Sequence, residues 1–379
     1  MNTGGWRPAE LAEQAGRVDT GGWTPAELAE QAGRVDTGGW RPAELAEQAG
    51  RVGTVFVVDP LERLDPALDT SIGLMHAAQE RGAQVWATDM LQLEAVDGRA
   101  RCLATPLWLA PSVPAQGCRW TVPDPWYRAG EPVRLWLDEA AAVFVRTEPP
   151  LDERYVAATL VLDLVDPART AMVNTPAGLR ACSEHLLPLH FPDLGPATVV
   201  SADPATVHAF VAEHRVVVAK PVDGFAGRGV LRLDRHDPNL ASLVEIVTGA
   251  GSRAAVLQPY LREVSAGNKR VFVLAGEPVG AVHRFPVGGD FRIGDPAAEA
   301  PVTDRDREIC MRLAPTLRRH GIHLAGLDVI GRHLIEVNVT SVGGLRKADA
   351  LLGWSLCADV MDLALDGALL APLLERTPA

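Results

Sequence analysis

The stretch VVVAKPVDGFAGRGVLRL, residues 216–233, decides how the second half of the chain folds. A β-branched apolar run delivers Lys220, a glycine-rich loop follows, and a second apolar strand begins after the loop. Glycines let the backbone approach a polyphosphate closely, and a lysine adds a point charge for phosphate oxygens. A P-loop would place a helix after the loop, whereas a strand follows here. The stretch favours nucleotide binding, with a plain β-turn as the simpler explanation of the glycines alone.

Lysine is rare in this chain, which makes Lys220 more informative. Of 36 basic residues only three are lysines, namely Lys220, Lys269 and Lys347. A chain that otherwise uses arginine has a reason to keep a lysine, and this strengthens the nucleotide hypothesis.

A second stretch, GLDVIGRHLIEVNVTS (residues 326–341), carries three oxygen-bearing side chains of the kind that Mg²⁺ prefers. Glu336 and Asn338 alternate with apolar residues and project from one strand face. A two-residue loop at Gly331-Arg332 pairs Asp328 with Ile335, on the wrong face. A three-residue loop sets Asp328 opposite Glu336. The metal hypothesis therefore predicts the longer loop or an equivalent bulge, and a solvated hairpin face is the alternative.

A third stretch, residues 260–286, places Arg270 at the start of one strand and Arg284 at the end of the next. Guanidinium groups suit carboxylate and phosphoryl oxygens. In a chain so rich in arginine, each of these residues taken alone is more often a surface residue.

Outward from these stretches, the chain divides into three parts. Residues 1–53 are a near-perfect repeat of TGGWRPAELAEQAGRVD, which we expect to lie outside the fold. From residue 54 to residue 147, strands and a helix over 70–81 predict a small parallel, doubly wound sheet, with irregular or hairpin structure at 100–137. From Thr170 onward, strands alternate with four helices in an α+β pattern. These helices are predicted at residues 203–214, 238–248, 303–320 and 348–366.

Composition excludes several classes of protein. The net charge is −12 and no basic patch is visible, which argues against nucleic-acid binding. No apolar run is long enough to span a membrane, and the N-terminus has no signal-peptide pattern. The five scattered cysteines are typical of reduced thiols in the cytoplasm.

Together with FVVDPLERLDPALDTSIGLMHAAQERG and VRTEPPLDERYV, these stretches resemble bacterial glutathione synthetase in the same order, from about Thr54 to about Gly367. The resemblance implies the ATP-grasp fold, α/β and α+β in class. It also implies an N-terminal (pre-ATP-grasp) domain over 54–172, a lid or central subdomain over 173–262 and a C-terminal catalytic subdomain over 263–379.

The same resemblance implies roles for individual residues. ATP phosphates would meet Lys220, Gly224, Gly227, Arg228 and Gly229, and His185 stands where the family usually has a lysine. Adenine would lie along Gln258, Tyr260 and Leu261. Mg²⁺, with Mn²⁺ as the alternative, would bind Asp328, Glu336 and Asn338. Arg270, Arg284 and Lys220 would be catalytic, Arg270 stabilising an acyl phosphate. Substrate would contact Arg346, Asn268 and Ser341.

The departures from the family fall mainly on the substrate residues. His185 replaces a lysine, Asn268 replaces an acidic residue, the loop at residues 288–301 is shortened, and residues 341–349 lack the usual proline and cysteine. These departures suggest the same reaction on a different acid or amine.

Three functions remain open at this point. The first is an ATP-grasp amide ligase making glutathione or a related small peptide from small-molecule or short-peptide substrates. The second is an enzyme that modifies ribosomally made peptides, with the repeats as relic or substrate. The third is a non-catalytic nucleotide-binding module. A homo-oligomer is an open alternative for the assembly.

Overall fold

A computed structural model describes residues 53–222, 224, 227–286, 288, 290 and 292–370. All of the repeated head except Gly53 lies outside these residues. The described chain forms two compact units. The first, the N-terminal unit, holds the described residues up to Glu148, Glu153–Gly178 and residues 341–370. The second holds Pro149–Asp152 and Leu179–Thr340 and is called the ATP-grasp unit after the fold that the resemblance implies. The C-terminal catalytic subdomain predicted over 263–379 stays a prediction, and residues 371–379 lie outside the described residues.

Eight α-helices occur among the described residues. They are α1 (Thr70–Glu80), α2 (Glu153–Leu162), α3 (Pro176–Ala181), α4 (Pro204–His214), α5 (Leu240–Thr248), α6 (Asp304–Arg319), α7 (Leu345–Leu352) and α8 (Leu356–Leu365). The helices expected at 70–81, 203–214, 238–248 and 303–320 are confirmed. The single helix expected over 348–366 is wrong, because Gly353 adopts a left-handed conformation (φ 67°) that ends α7 before α8 begins.

The N-terminal unit is built on one large sheet and one short hairpin. Its strands are β1 (Thr54–Val57), β2 (Val85–Thr88), β3 (Leu93–Val96), β4 (Arg99–Leu109), β5 (Val113–Pro114), β6 (Trp120–Thr121), β7 (Tyr127–Ala129), β8 (Val133–Trp136), β9 (Ala142–Val145) and β10 (Ala171–Val173). The large sheet runs β10-β9-β1-β2-β4-β3, and β7 and β8 also pair with β4. Strands β10, β9, β1 and β2 are parallel, as the sequence predicts.

The segment at 100–137 is more regular than its composition indicates. Most of it is an antiparallel extension of the sheet, in which the eleven-residue β4 pairs with β2, β3, β7 and β8. Buried and half-buried positions alternate along most of β4, the period-2 pattern of a strand with one face in the core. Proline and arginine along this segment obscure that period in the sequence.

The ATP-grasp unit contains two antiparallel sheets. The first is ordered β11-β14-β12-β13 and comprises β11 (Val199–Ser201), β12 (Val216–Pro221), β13 (Leu231–Asp234) and β14 (Ala255–Pro259). The apolar sides of α4 and α5 pack on it, with Val207, Val211, Val244 and Val247 in the same cluster as Val217 of β12.

The second sheet of this unit is ordered β17-β16-β15-β18-β19. Its strands are β15 (Asn268–Leu274), β16 (Glu277–Pro286), β17 (Ile293–Glu299), β18 (Leu324–Ile330) and β19 (His333–Asn338). Helix α6 begins with a capping box in which Thr303 and Asp306 satisfy each other's backbone amides. The Asp306 carboxylate also accepts a hydrogen bond from Lys269 Nζ at 2.6 Å. The second of the three lysines therefore has a structural partner.

The start of α8 depends on a single carboxylate from α7. Asp349 Oδ1 accepts from the amide of Leu356 at 2.8 Å, and its Oδ2 accepts from the amide of Cys357 at 3.1 Å. These are first-turn amides that have no partner within α8.

We expect Asp349→Ala to lower the free energy of unfolding of the N-terminal unit by about 1–2 kcal/mol, since two buried amides lose their acceptor. All described tryptophans lie in this unit, so tryptophan fluorescence during urea denaturation reports on it. The matched control is Asp359→Ala, which removes an exposed carboxylate from α8 itself. Equal shifts for the two variants would contradict the capping role.

Candidate active site

The glycine-rich loop follows β12, whose next-to-last residue, Lys220, is only 5% exposed. Strand β13 then returns antiparallel, with Ala219 opposite Leu231, which confirms the strand–loop–strand order. Gly227 and Gly229 have φ values of 69° and 72°, and a Cβ on Gly229 would lie 3.0 Å from Pro221 Cγ. Backbone conformation and close approach therefore both require glycine at 229.

The hairpin β18–β19 contains a bulge. The loop at Gly331-Arg332 has two residues, because Ile330 pairs with His333. Beyond it, Val329 pairs with Leu334 but Asp328 pairs with Glu336, so Ile335 is the extra residue. The three-residue loop is therefore wrong, and the equivalent bulge that the metal hypothesis allowed is confirmed. The bulge places Asp328 opposite Glu336, and Gly326 opposite Asn338.

Asp328 is held between two arginines from neighbouring strands. Arg270 on β15 donates from Nε and Nη2 to the two carboxylate oxygens at 2.5 and 3.1 Å. Arg284 Nη2 on β16 lies 2.7 Å from Asp328 Oδ2. Burial alone would raise the pKa of the Asp328 carboxyl, but the two guanidinium groups outweigh burial and hold that pKa well below its usual range. Asp328 is therefore ionised at neutral pH.

Asn268 orients the second of these arginines. Its Oδ1 accepts from Arg284 Nε at 3.0 Å and from Nη2 at 2.8 Å. Asn268 was predicted to contact substrate, and here its amide oxygen is occupied by Arg284. Arg284 Nη1 makes no hydrogen bond to any residue that the structure describes, so it remains available for an oxygen of a ligand.

Glu336 links the two sheets of the ATP-grasp unit. Its Oε2 lies 3.6 Å from Lys220 Nζ and 3.4 Å from His185 Nδ1, and its Oε1 accepts from Asn338 Nδ2 at 3.3 Å. Burial, followed by repulsion from Asp328, raises the pKa of the Glu336 carboxyl. A cation near both carboxylates would relieve that repulsion.

His185 contacts the glycine-rich loop. Its Nε2 lies 3.1 Å from the carbonyl oxygen of Gly224, so this nitrogen carries the proton and Nδ1 presents a lone pair. Nδ1 is buried and has no hydrogen-bond partner. Burial, and secondarily the charge of Lys220, lowers the pKa of His185 to about 3. The imidazole is therefore neutral at neutral pH.

The residues expected to contact adenine lie along the end of β14 and just beyond it. Gln258 Nε2 donates to Thr198 Oγ1 at 3.2 Å, and the Tyr260 amide donates to the carbonyl of Val216 at 2.9 Å. Leu261 follows and precedes a 3-10 turn at Arg262–Ala266.

Sequence reasoning missed Glu184. Its carboxylate accepts from the amides of Val339 and Thr340 at the end of β19. Burial, followed by repulsion from Glu336, raises the pKa of Glu184 to about 7. Nothing in the local sequence separates this glutamate from a surface residue, because the burial that distinguishes it arises from distant strands.

The other two predicted substrate residues, Ser341 and Arg346, lie in the N-terminal unit. Ser341 Oγ donates to the carbonyl of Arg146 at 3.0 Å. Arg346 is 2% exposed, and its Nη1 lies 3.2 Å from His76 Nδ1 while its Nη2 donates to the carbonyl of Pro66 at 3.0 Å. Its guanidinium also lies over the Trp120 ring. Both terminal nitrogens of Arg346 are thus engaged within the unit, and its role in substrate binding stays a prediction.

Two family models match the chain. They are the N-terminal domain of prokaryotic glutathione synthetase, over residues 52–180, and its ATP-grasp domain, over residues 184–353. This chain belongs to the prokaryotic glutathione synthetase family. It is an ATP-dependent, C–N bond-forming ligase that uses ATP and a divalent metal. Among its relatives, the glutathione synthetase of Synechococcus elongatus is 45% identical over 79% of this chain and 94% of that protein. That of Salmonella typhi is 33% identical over 81% and 96%.

Solved structures show the same fold. The ATP-grasp ligase PsnB complexed with minimal precursor matches with a TM-score of 0.56 at 18% identity, over 83% of this chain and 99% of that chain. The D-cycloserine synthetase DcsG matches with a TM-score of 0.56 at 18% identity, over 84% and 100%. The ATP-grasp fold expected from the sequence is therefore confirmed. No helix of the described residues is long and apolar enough to cross a membrane.

The oxygen donors suit the divalent metal that this family uses. Two carboxylates face each other across β18 and β19, and the Asn338 amide adjoins Glu336. Hard cations such as Mg²⁺ take such oxygen ligands. Among the described residues, no group of three or more His, Cys, Asp or Glu side chains could hold a metal ion, so the amide would be needed as the third ligand.

Removal of Asp328 leaves two buried guanidinium groups without their shared partner. We therefore expect Asp328→Ala to lower the free energy of unfolding by roughly 3–5 kcal/mol, measured by thermal denaturation followed by circular dichroism. Asp193→Ala, which breaks the exposed pair with Arg312, is the control and should leave the melting temperature unchanged. The ion network is not a stabilising element if both variants melt together.

His76 supplies a pH prediction for the N-terminal unit. Burial, followed by the charge of Arg346, lowers the pKa of His76 to about 3, from an ordinary value of 6.5. Between pH 6.5 and pH 3, His76 is protonated in the unfolded chain and remains neutral in the folded chain. Stability should therefore fall by up to about 1.4 kcal/mol per pH unit through this one group.

We expect His76→Gln to lose that part of the pH dependence, because glutamine does not titrate. Urea denaturation followed by tryptophan fluorescence at several pH values between 4 and 7 measures it. Parallel pH profiles for the two proteins would mean that His76 is not buried in its neutral form.

Proposed function

We propose that this chain condenses γ-glutamylcysteine with glycine at the expense of ATP, making glutathione, and that Mg²⁺ bound by Asp328, Glu336 and Asn338 assists. The observation that carries the proposal is the convergence of Lys220 and Glu336 from separate sheets, 3.6 Å apart, in a chain of this family. None of the five cysteines, all of which lie in the described part of the chain, forms a disulfide, and the proposal places the reaction in the reducing cytoplasm.

A carboxylate is a poor electrophile, so the reaction must activate it first. The γ-phosphoryl group of ATP is transferred to a carboxylate oxygen, ADP leaves, and an acyl phosphate results. The amine of glycine then attacks the acyl carbon, phosphate leaves with the C–O bond electrons, and the amide forms. A bound divalent cation supplies neutralisation of charge on the phosphoryl oxygens.

The chain's own residues have distinct parts in this proposal. Lys220 provides a positive charge at the end of β12, next to a loop whose glycines allow close backbone approach to phosphates. Arg284 contributes Nη1 to the phosphoryl oxygens, while its other nitrogens stay on Asn268 and Asp328. Arg270 keeps Asp328 ionised and adds positive charge near the phosphoryl oxygens. Because these groups are buried and fixed before the reaction, they need little reorganisation during it.

The proposal is tested with ATP, γ-glutamylcysteine and glycine, by following ADP release and identifying the product by mass spectrometry. Lys220→Ala and Glu336→Ala should each lower the rate by at least about 10²-fold, because Lys220 supplies positive charge to the transferred group and Glu336 would hold the cation that does the same. Glu308→Ala, which breaks an exposed ion pair with Arg305, is the matched control and should retain the rate.

Two outcomes would overturn parts of the proposal. ADP release that requires a different acid or amine would retain the ligase chemistry and replace the substrates. Unchanged ADP release in Lys220→Ala and Glu336→Ala would reject the assigned site.

A further inference from the structure

Glu184 lies along the outer edge of β19. This strand ends the five-stranded sheet and pairs with β18 alone among the described strands. On its other edge, the Val337 amide donates to the carbonyl of Glu184 at 3.0 Å. The amides of Val339 and Thr340 donate to Glu184 Oε1 at 3.2 and 3.0 Å. One residue thus provides acceptors for three backbone amides at the edge of the sheet.

These bonds hold the part of the backbone that the sheet does not. The ladder between β18 and β19 ends at the pair Gly326 and Asn338. Beyond Asn338, the next two amides are bound by the Glu184 carboxylate. Asn338 therefore pairs with Gly326 on one side and is followed directly by an amide that the Glu184 carboxylate binds. Glu336 directly precedes Val337, whose amide donates to the Glu184 carbonyl. The directions in which both side chains project depend on this stretch of backbone.

We propose that Glu184 is a positioning residue of the divalent-cation site, one whose Oε1 fixes the end of β19 so that Asn338 and Glu336 face the cation with Asp328. This inference rests on the proposed assignment of these three residues as ligands. Groups that orient metal ligands typically contribute 10- to 100-fold to metal affinity.

Two variants can distinguish the length of the Glu184 side chain from its charge, because a single oxygen, Oε1, accepts hydrogen bonds from both amides. Glu184→Gln keeps an oxygen at the same distance along the side chain and removes the charge. Glu184→Asp keeps the charge and withdraws the oxygen by one methylene group. A positioning role requires Glu184→Gln to bind the cation as well as the unaltered protein does, and Glu184→Asp to bind it more weakly.

The experiment measures Mn²⁺ affinity of the full chain in the presence of ADP, from the electron paramagnetic resonance signal of free Mn²⁺. We expect Glu184→Asp to weaken Mn²⁺ binding by about 10- to 100-fold and Glu184→Gln to stay within about threefold. In the Asn338→Ala background, Glu184→Asp should weaken Mn²⁺ binding by a smaller factor than it does in the unaltered chain, because the part of the effect that acts through Asn338 is already lost.

The results that would contradict the positioning role differ from the result that would reject the metal site. Weakened binding in Glu184→Gln with normal binding in Glu184→Asp would overturn the proposal in favour of the charge. A lowered melting temperature with unchanged Mn²⁺ affinity in Glu184→Asp would reduce Glu184 to a structural role. Glu336→Gln tests the ligand assignment separately: unchanged Mn²⁺ affinity in that variant rejects the proposed metal site itself.

Discussion

The ion network of Asp328 with Arg270 and Arg284 is the constraint on which the candidate active site depends. It joins three neighbouring strands through one buried carboxylate, whose two oxygens receive both guanidinium groups. A buried charge is costly unless it is paired and hydrogen-bonded, so each member fixes the other two. The same network keeps Asp328 ionised, and burial, followed by repulsion from that carboxylate, raises the pKa of Glu336, which lies opposite it. The pairing of Asp328 with Arg270 and Arg284 thus sets the charges at this site without a ligand.

Two groups from outside the second sheet of the ATP-grasp unit also reach Glu336. Lys220 reaches it from β12, and His185 contacts both its carboxylate and the carbonyl of Gly224 in the glycine-rich loop. A neutral imidazole in this position donates one hydrogen bond and keeps one lone pair, whereas a lysine would add a positive charge. The neutral His185 thus contacts the glycine-rich loop without adding positive charge beside it.

Register is as important as residue type in this site. A plain two-residue hairpin would turn Asp328 away from Glu336, and the bulge at Ile335 restores the pairing. The strand edge is also incomplete without Glu184, because the ladder ends at Asn338. The position of the three oxygen donors thus follows from one extra residue in the hairpin and one glutamate outside it.

The sequence by itself determined the ATP-grasp fold, the strand–loop–strand around Lys220 and the three oxygen donors on β18 and β19. Local residue types and alternation carry that information over short distances. Only the tertiary structure decided that Asn268 holds Arg284, that Arg346 is engaged by His76 and Pro66, and that residues 341–370 belong to the N-terminal unit. It also decided the importance of Glu184. These contacts depend on burial and on pairing between residues that are far apart in the chain. The sequence around a glutamate or an arginine does not show whether that residue is buried or exposed.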